Sequence, residues 1–103
     1  MINYGTAIKR IRLELGIKQT DIADKTGISA SYLSLVENGK ATPSMSVLKQ
    51  IAEAMGIPYE IIAWEAIEPP EELRPEQRQA FLLARAVIND YLQSLKKGTS
   101  RVK

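Results

Sequence analysis

Apolar residues recur along this chain at spacings of three and four, the period of helices that bury one face. Tyr4, Ile8, Ile11 and Leu15 predict a first helix from about Tyr4 or Gly5 to Leu15, with Gly16 as its stop. Ile22 and Ala23 give an apolar face to a second, from Gln19 to Thr26; Gly27 follows, where a residue without Cβ adopts the left-handed conformation cheaply. Ile28 fills the angle beyond it, Ser29 can cap the next helix, and Leu33 and Val36 form the buried stripe of a third helix over Ala30 to Asn38, ended by Gly39. Ser44 caps a fourth, on which Val47, Leu48, Ile51, Ala52 and Met55 make a wide apolar face before Gly56. Pro58 suits the first turn of a fifth, which Ile61, Ile62 and Trp64 close onto the others. β-branched residues occur singly and at helical offsets, so the fold class is all-α.

The texture changes between Glu65 and Glu76, where Pro69, Pro70 and Pro75 stand among acidic residues with little to bury. Residues 68–75 read as a linker and residues 76–103 as a C-terminal helix with a frayed tail. That helix is expected from Glu76 to about Lys97, with Lys96 and Lys97 suiting its dipole and Gly98 ending it. Phe81, Ala84, Ile88, Tyr91 and Leu95 alternate at three and four, and Leu83, Val87 and Leu92 broaden the stripe. The width predicts burial on two sides, against the preceding bundle and against the same helix of a second subunit. The first five residues are assigned to that dimer contact; the alternative is a helix folded back over the fifth in a monomer.

Two short helices joined by a glycine-containing turn form a DNA-reading device. The third helix keeps Ala30, Ser31, Tyr32, Ser34, Leu35 and Asn38 outward, a face of small or hydrogen-bonding side chains that a groove can accept. Several offsets hold at once: Gln19, Ala23 four residues on, Gly27, then Leu33 and Val36, the run Glu37-Asn38-Gly39, and Pro43-Ser44. In this register residues 1–67 resemble the helix-turn-helix domain of the phage Cro and repressor type, the XRE-like family. The resemblance implies a five-helix, lambda-repressor-like DNA-binding bundle followed by the C-terminal helix. It implies a transcriptional regulator, foremost a repressor, that binds double-stranded DNA as a homodimer on an inverted-repeat operator. The layout is also similar to small two-part repressors with a short helical appendage.

Carried over residue by residue, the resemblance places Gln19 at a helix start where it holds a phosphate, and Ala30, Ser31 and Leu35 where base edges are reached. Ser31 and Ser34 can bond either base type, and Ala30 or Leu35 can meet a thymine methyl, which predicts A·T-tolerant readout that leans on DNA shape. Asn38 matches a position more often on the backbone, Tyr32 is a phosphate contact or partial core, and Ser29 and Lys40 complete the interface, Lys40 as a phosphate contact. Lys18 stands where the family usually has Ser or Thr, so it gives up a side-chain cap and gains a phosphate contact. Arg12 and Glu37 match positions that form an internal ion pair.

Composition changes this picture little. A chain of 103 residues with 45% hydrophobic content buries one modest core plus one extra element. The net charge of +2 comes from the C-terminal part, because residues 1–67 hold seven Lys/Arg and seven Asp/Glu. Bulk attraction to DNA is therefore weak, and the placement of Lys9, Arg10, Lys18, Lys25 and Lys40 around the reading helix is expected to matter more. Taken alone, these charges read as solvated surface residues. Without Cys or His the chain offers no disulfide and lacks the usual metal and haem ligands, so no metal or cofactor is expected. Its carboxylates, lysines and hydroxyls form no catalytic motif, which argues against an enzyme. No signal core or membrane-length apolar run is present, so a cytoplasmic protein without a membrane partner is expected. A second function class remains: an antitoxin-type interaction protein whose C-terminal helix binds a protein partner.

Overall fold

Side-chain caps and left-handed residues set the helix boundaries. The computed structural model describes residues 3–98, with side chains through Lys96; the tail from Thr99 to Lys103 lies outside the described residues. The helices are α1 (Tyr4–Leu15), α2 (Gln19–Thr26), α3 (Ala30–Glu37), α4 (Met45–Met55), α5 (Tyr59–Ala66) and α6 (Pro75–Gly98), and the described residues are all-helical in class. Asn3 Oδ1 accepts the Thr6 N–H at 3.0 Å, and the Ser29 and Ser44 hydroxyls accept from Tyr32 and Val47 at 3.0 and 3.1 Å. Each bond satisfies an amide that the first helical turn leaves free.

Four boundaries fall one residue from expectation, among them the end of α6, which takes in Gly98, and the start of α5, where Pro58 is the N-cap instead of part of the first turn. α3 ends at Glu37 because Asn38 is already the cap: the Gly39 and Lys40 N–H groups turn back onto the Val36 and Leu35 carbonyls at 3.1 and 2.8 Å. α6 begins at Pro75, where the proline's missing N–H costs nothing, and the Arg74 N–H donates to Gln77 Oε1 at 2.9 Å.

α1 is the central helix, packed against α3, α5 and α6. Ile8 and Ile11 meet Ile22, Leu33, Val36, Leu48, Ile51 and Ile62 in one core, all nearly sealed from solvent. At Gly5 the approach to α3 is backbone to backbone: a Cβ there would lie 2.1 Å from the Val36 carbonyl oxygen.

α6 adds Ile88 and Leu92 to that core. Phe81, Ala84, Ile88, Tyr91 and Leu95, the residues assigned to a second subunit, lie on the face turned toward this chain's own bundle. The Phe81 ring stacks on Trp64 with centroids 5.4 Å apart, and Tyr91 and Leu95 pack at the edge of the core. On that face α1 and α5 supply an apolar partner, as the expected burial against the preceding bundle requires, and Phe81, Ala84, Tyr91 and Leu95 remain half-buried. Polar ties reinforce the docking: Arg85 Nη2 donates to the Ile67 carbonyl at 2.6 Å, and Gln93 bonds Glu14 on α1. Arg78 Nη2 also donates to the carbonyls of Pro70 and Glu71 at 3.2 and 3.3 Å, which ties the proline-rich segment to α6. Among the described residues no helix is long and apolar enough to cross a membrane.

Candidate nucleic-acid interface

The turn between α2 and α3 is closed from both sides. Gly27 takes φ 80° and its N–H bonds the Ala23 carbonyl at 3.0 Å. The Thr26 hydroxyl donates to the Ile22 carbonyl at 2.8 Å and accepts from the Ile28 N–H at 3.0 Å. With the turn fixed, α3 buries Leu33, Val36 and Glu37 and leaves Ser31, Leu35 and Asn38 exposed in one stripe. Ser34 lies half-buried beside them, and Ala30 and Tyr32 sit half-buried at the margins, Tyr32 against the core. Ser29 is exposed, with its hydroxyl engaged as the α3 cap.

Behind this stripe Arg12 and Glu37 meet as a bidentate pair, Nε to Oε2 at 2.7 Å and Nη2 to Oε1 at 3.0 Å. Both side chains are nearly sealed from solvent, and Arg12 Nη1 also donates to the Ile17 carbonyl at 3.0 Å. Gln19 Nε2 donates to the same Glu37 Oε1 at 3.0 Å. One carboxylate therefore ties α1, the start of α2 and the end of α3, and this sets the angle at which α3 is presented. It also turns the Gln19 amide inward, so what that residue offers outward is the backbone at the helix start. Lys18, the residue before α2, has no acceptor to cap it; its own N–H instead bonds Asp21 Oδ2 at 3.0 Å.

An open groove of about 610 Å³ runs beside α3, with Lys18, Gln19, Ser34 and Asn38 on its walls together with Lys9 and Leu13 of α1. Sequence reasoning left Leu13 and Thr20, both on this lining, out of the site. Leu13 is 60% exposed, and its signal was an apolar residue off the α1 stripe. The five cations expected around α3 separate. Lys9 and Lys18 line the groove, and Lys40 is exposed just past α3. Arg10 is bound to Glu65 at 2.5 Å, and Lys25 lines a different groove with Gln50 and Glu53. Sequence position could not separate these, because the groove is assembled from three helices.

A helix-turn-helix family model matches residues 8–62, which span α2, the turn and α3 and most of the flanking bundle. The chain belongs to the XRE-type helix-turn-helix family. It is similar to the HTH-type transcriptional repressor RghR of Bacillus subtilis (strain 168), 34% identical over 94 residues that cover 87% of this chain and 70% of that protein. It is also similar to the immunity repressor protein of Bacillus phage phi105, 38% identical over 71 residues covering 69% of this chain and 49% of that one. A third relative is the ImmF control region 10 kDa protein of the same phage, 37% identical over 68 residues, 66% of this chain and 76% of the relative. The likeness to RghR extends over too much of this chain to stop at α5, so it runs into α6. The chain is thus a transcriptional regulator with a helix-turn-helix DNA-binding domain.

Proposed function

We propose that this regulator is a repressor that binds an inverted-repeat operator in double-stranded DNA as a homodimer, with α3 in the major groove. The observation that carries the reading is the uncharged outward stripe of α3, Ser31, Leu35 and Asn38 with Ser34 beside them, held at a fixed angle by the Arg12–Glu37 pair beside a groove that bears Lys9 and Lys18. Small side chains let the helix approach the bases, and the cations beside them meet the backbone on either side. Two relatives are named as repressors, which favours repression.

Within the interface, Ser31 and Ser34 meet base edges, Ala30 and Leu35 meet thymine methyls, and the Gln19 backbone, Lys18, Ser29, Tyr32, Asn38 and Lys40 hold phosphates. The absence of an Arg or Lys on the outward stripe of α3 leaves no bidentate partner for guanine, so the operator is A·T-tolerant and read in part through groove shape. Selection of bound duplexes from a random pool tests this directly: an A·T-rich inverted repeat is expected. Replacing Ser31 and Leu35 together with glutamate should abolish binding with helical content unchanged; retained affinity would remove α3 from the groove.

A further inference from the structure

Charge is divided unevenly along this chain. Residues 1–67 hold seven Lys/Arg and seven Asp/Glu, and residues 68–95 hold three Lys/Arg against five Asp/Glu, whereas residues 96–103 hold Lys96, Lys97, Arg101 and Lys103 and no acidic side chain. The whole positive excess therefore falls on residues 96–103. Where the fold carries the far end of α6 decides what meets it.

α6 rises alongside α1 in the same sense. Arg10 of α1 and Arg85 of α6 share Glu65, and further along both helices Glu14 accepts from Gln93 and lies 3.8 Å from Lys96 Nζ. Past these ties α1 has only Leu15 left, while α6 continues from Gln93 to Gly98, about 7 Å further along its axis. It thus passes the end of α1 from which the chain runs through Gly16 and Ile17 into Lys18 and Gln19, all four on the wall of the groove beside α3. The cationic end stands on the reading side. Glu14 is also the one carboxylate of α1, and its contacts with Gln93 and Lys96 offset a charge that would repel a phosphate there. Arg101 and Lys103 follow Gly98 so closely that the backbone at Lys103 lies within about 18 Å of it, whatever course the chain takes.

We infer that the far end of α6 is a second DNA contact, in which Lys97, Arg101 and Lys103 meet backbone phosphates just outside the half-site, beyond those at the start of α2. This contact rests on the DNA reading proposed above and lies outside the helix-turn-helix. Lys96 is engaged by Glu14 and takes no phosphate. Three full charges outweigh the roughly half-charge of the negative pole at this end of the helix. Because such contacts release counterions and carry no base information, they lengthen the footprint and raise affinity alike for every flanking sequence.

Salt titration of DNA binding by the full chain and by its Lys97→Gln/Arg101→Gln/Lys103→Gln variant tests this on two duplexes, one trimmed to the selected half-site and one extended on both sides of it. On the extended duplex the variant should lose about two to three units of salt slope and at least about tenfold in affinity at low salt, while on the trimmed duplex the two chains should agree within about twofold. Circular dichroism should show the variant folded. Position is read separately by an iron chelate tethered at Ser94→Cys, an exposed site in a sequence without cysteine, which should cut the extended duplex in its flank. Equal slopes on the extended duplex, or no cleavage in the flank, overturn the inference and leave α3 in its groove. A loss just as large on the trimmed duplex overturns it too, since the charges would then act through bulk attraction. A wild type that binds no selected duplex overturns the DNA reading and this contact with it.

Discussion

Glu37 and Glu65 are buried to the same degree, each side chain 2% exposed, yet they are held in opposite ways. Glu37 receives two Arg12 donors and the Gln19 amide, all at 2.7 to 3.0 Å. Glu65 bonds Arg10 through one oxygen; its other oxygen faces Arg85 Nε at 3.8 Å, and neither of those atoms has a hydrogen-bond partner among the described residues. A separation of 3.8 Å is too long for a hydrogen bond, so the attraction there is Coulombic and undirected. Directed bonds fix an angle and undirected ones only a proximity. The α2–α3 end thus has its orientation specified through one buried carboxylate, while Glu65 adds only proximity to α6, which is held by shape, by the Trp64–Phe81 stack and by the hydrogen bonds of Arg85 and Gln93 at its rim.

The sharpest way to break the contrast is at Glu37. Glu37→Ala strands Arg12 in a site with little water, which should cost about 3–5 kcal/mol in chemical denaturation. A double-mutant cycle with Arg12 should give a coupling of about 1–3 kcal/mol, and additive losses would mean that the pair contributes nothing beyond its separate packing. Gly5→Ala comes next. Its Cβ would meet the Val36 carbonyl at 2.1 Å, and the rigid α1–α3 contact can yield only by shifting backbone, so a loss near the upper end of about 1–3 kcal/mol is expected. An unchanged melting temperature would show that α3 can move, against the rigidity inferred from Glu37.

The Glu65 side should respond more mildly. Arg85→Leu removes the bond to the Ile67 carbonyl and the guanidinium lying 5.7 Å from the Phe81 ring centroid, but leaves Arg10 on Glu65. A loss on the order of 1 kcal/mol is expected, with a change in Trp64 fluorescence as its stack loosens and with half-site DNA affinity intact. A loss as large as that of Glu37→Ala would erase the distinction between the two ends.

The same contrast divides what the sequence could reveal. Helix boundaries were legible because caps are local: Ser29, Ser44 and the residues at Gly16, Gly27 and Gly56 act on chain neighbours. The Arg12–Glu37 contact was legible through family register alone, since spacing gives no hint that residues 25 apart meet. The faces of α6 were not. Periodicity reports that Phe81, Ala84 and Ile88 lie together, as do Leu83 and Val87, but which group meets this chain depends on Trp64 and Glu14, which are distant in sequence. Gly5 was missed for the same reason: a glycine in a first turn looks permissive until the carbonyl of α3 is placed against it. In the site, the stripe of α3 was readable as a helical face, whereas the separation of Lys9 from Arg10 and of Lys18 from Lys25 needed the fold.

The smallest expected effect on stability isolates the reading end most cleanly. Lys40 is exposed, and what its residue contributes to the end of α3 is a backbone N–H on the Leu35 carbonyl, which alanine keeps. Lys40→Ala should therefore change unfolding free energy by no more than about 0.5 kcal/mol. If its ammonium meets one phosphate, the dependence of binding on salt should fall by about one unit of slope, with affinity lowered alike for every duplex, because a phosphate contact releases a counterion and carries no base information. Lys40→Ala would then act on binding without stability, as Arg85→Leu acts on stability without half-site binding. An altered sequence preference in Lys40→Ala would instead place its side chain at a base edge, and an unchanged slope would place it off the DNA.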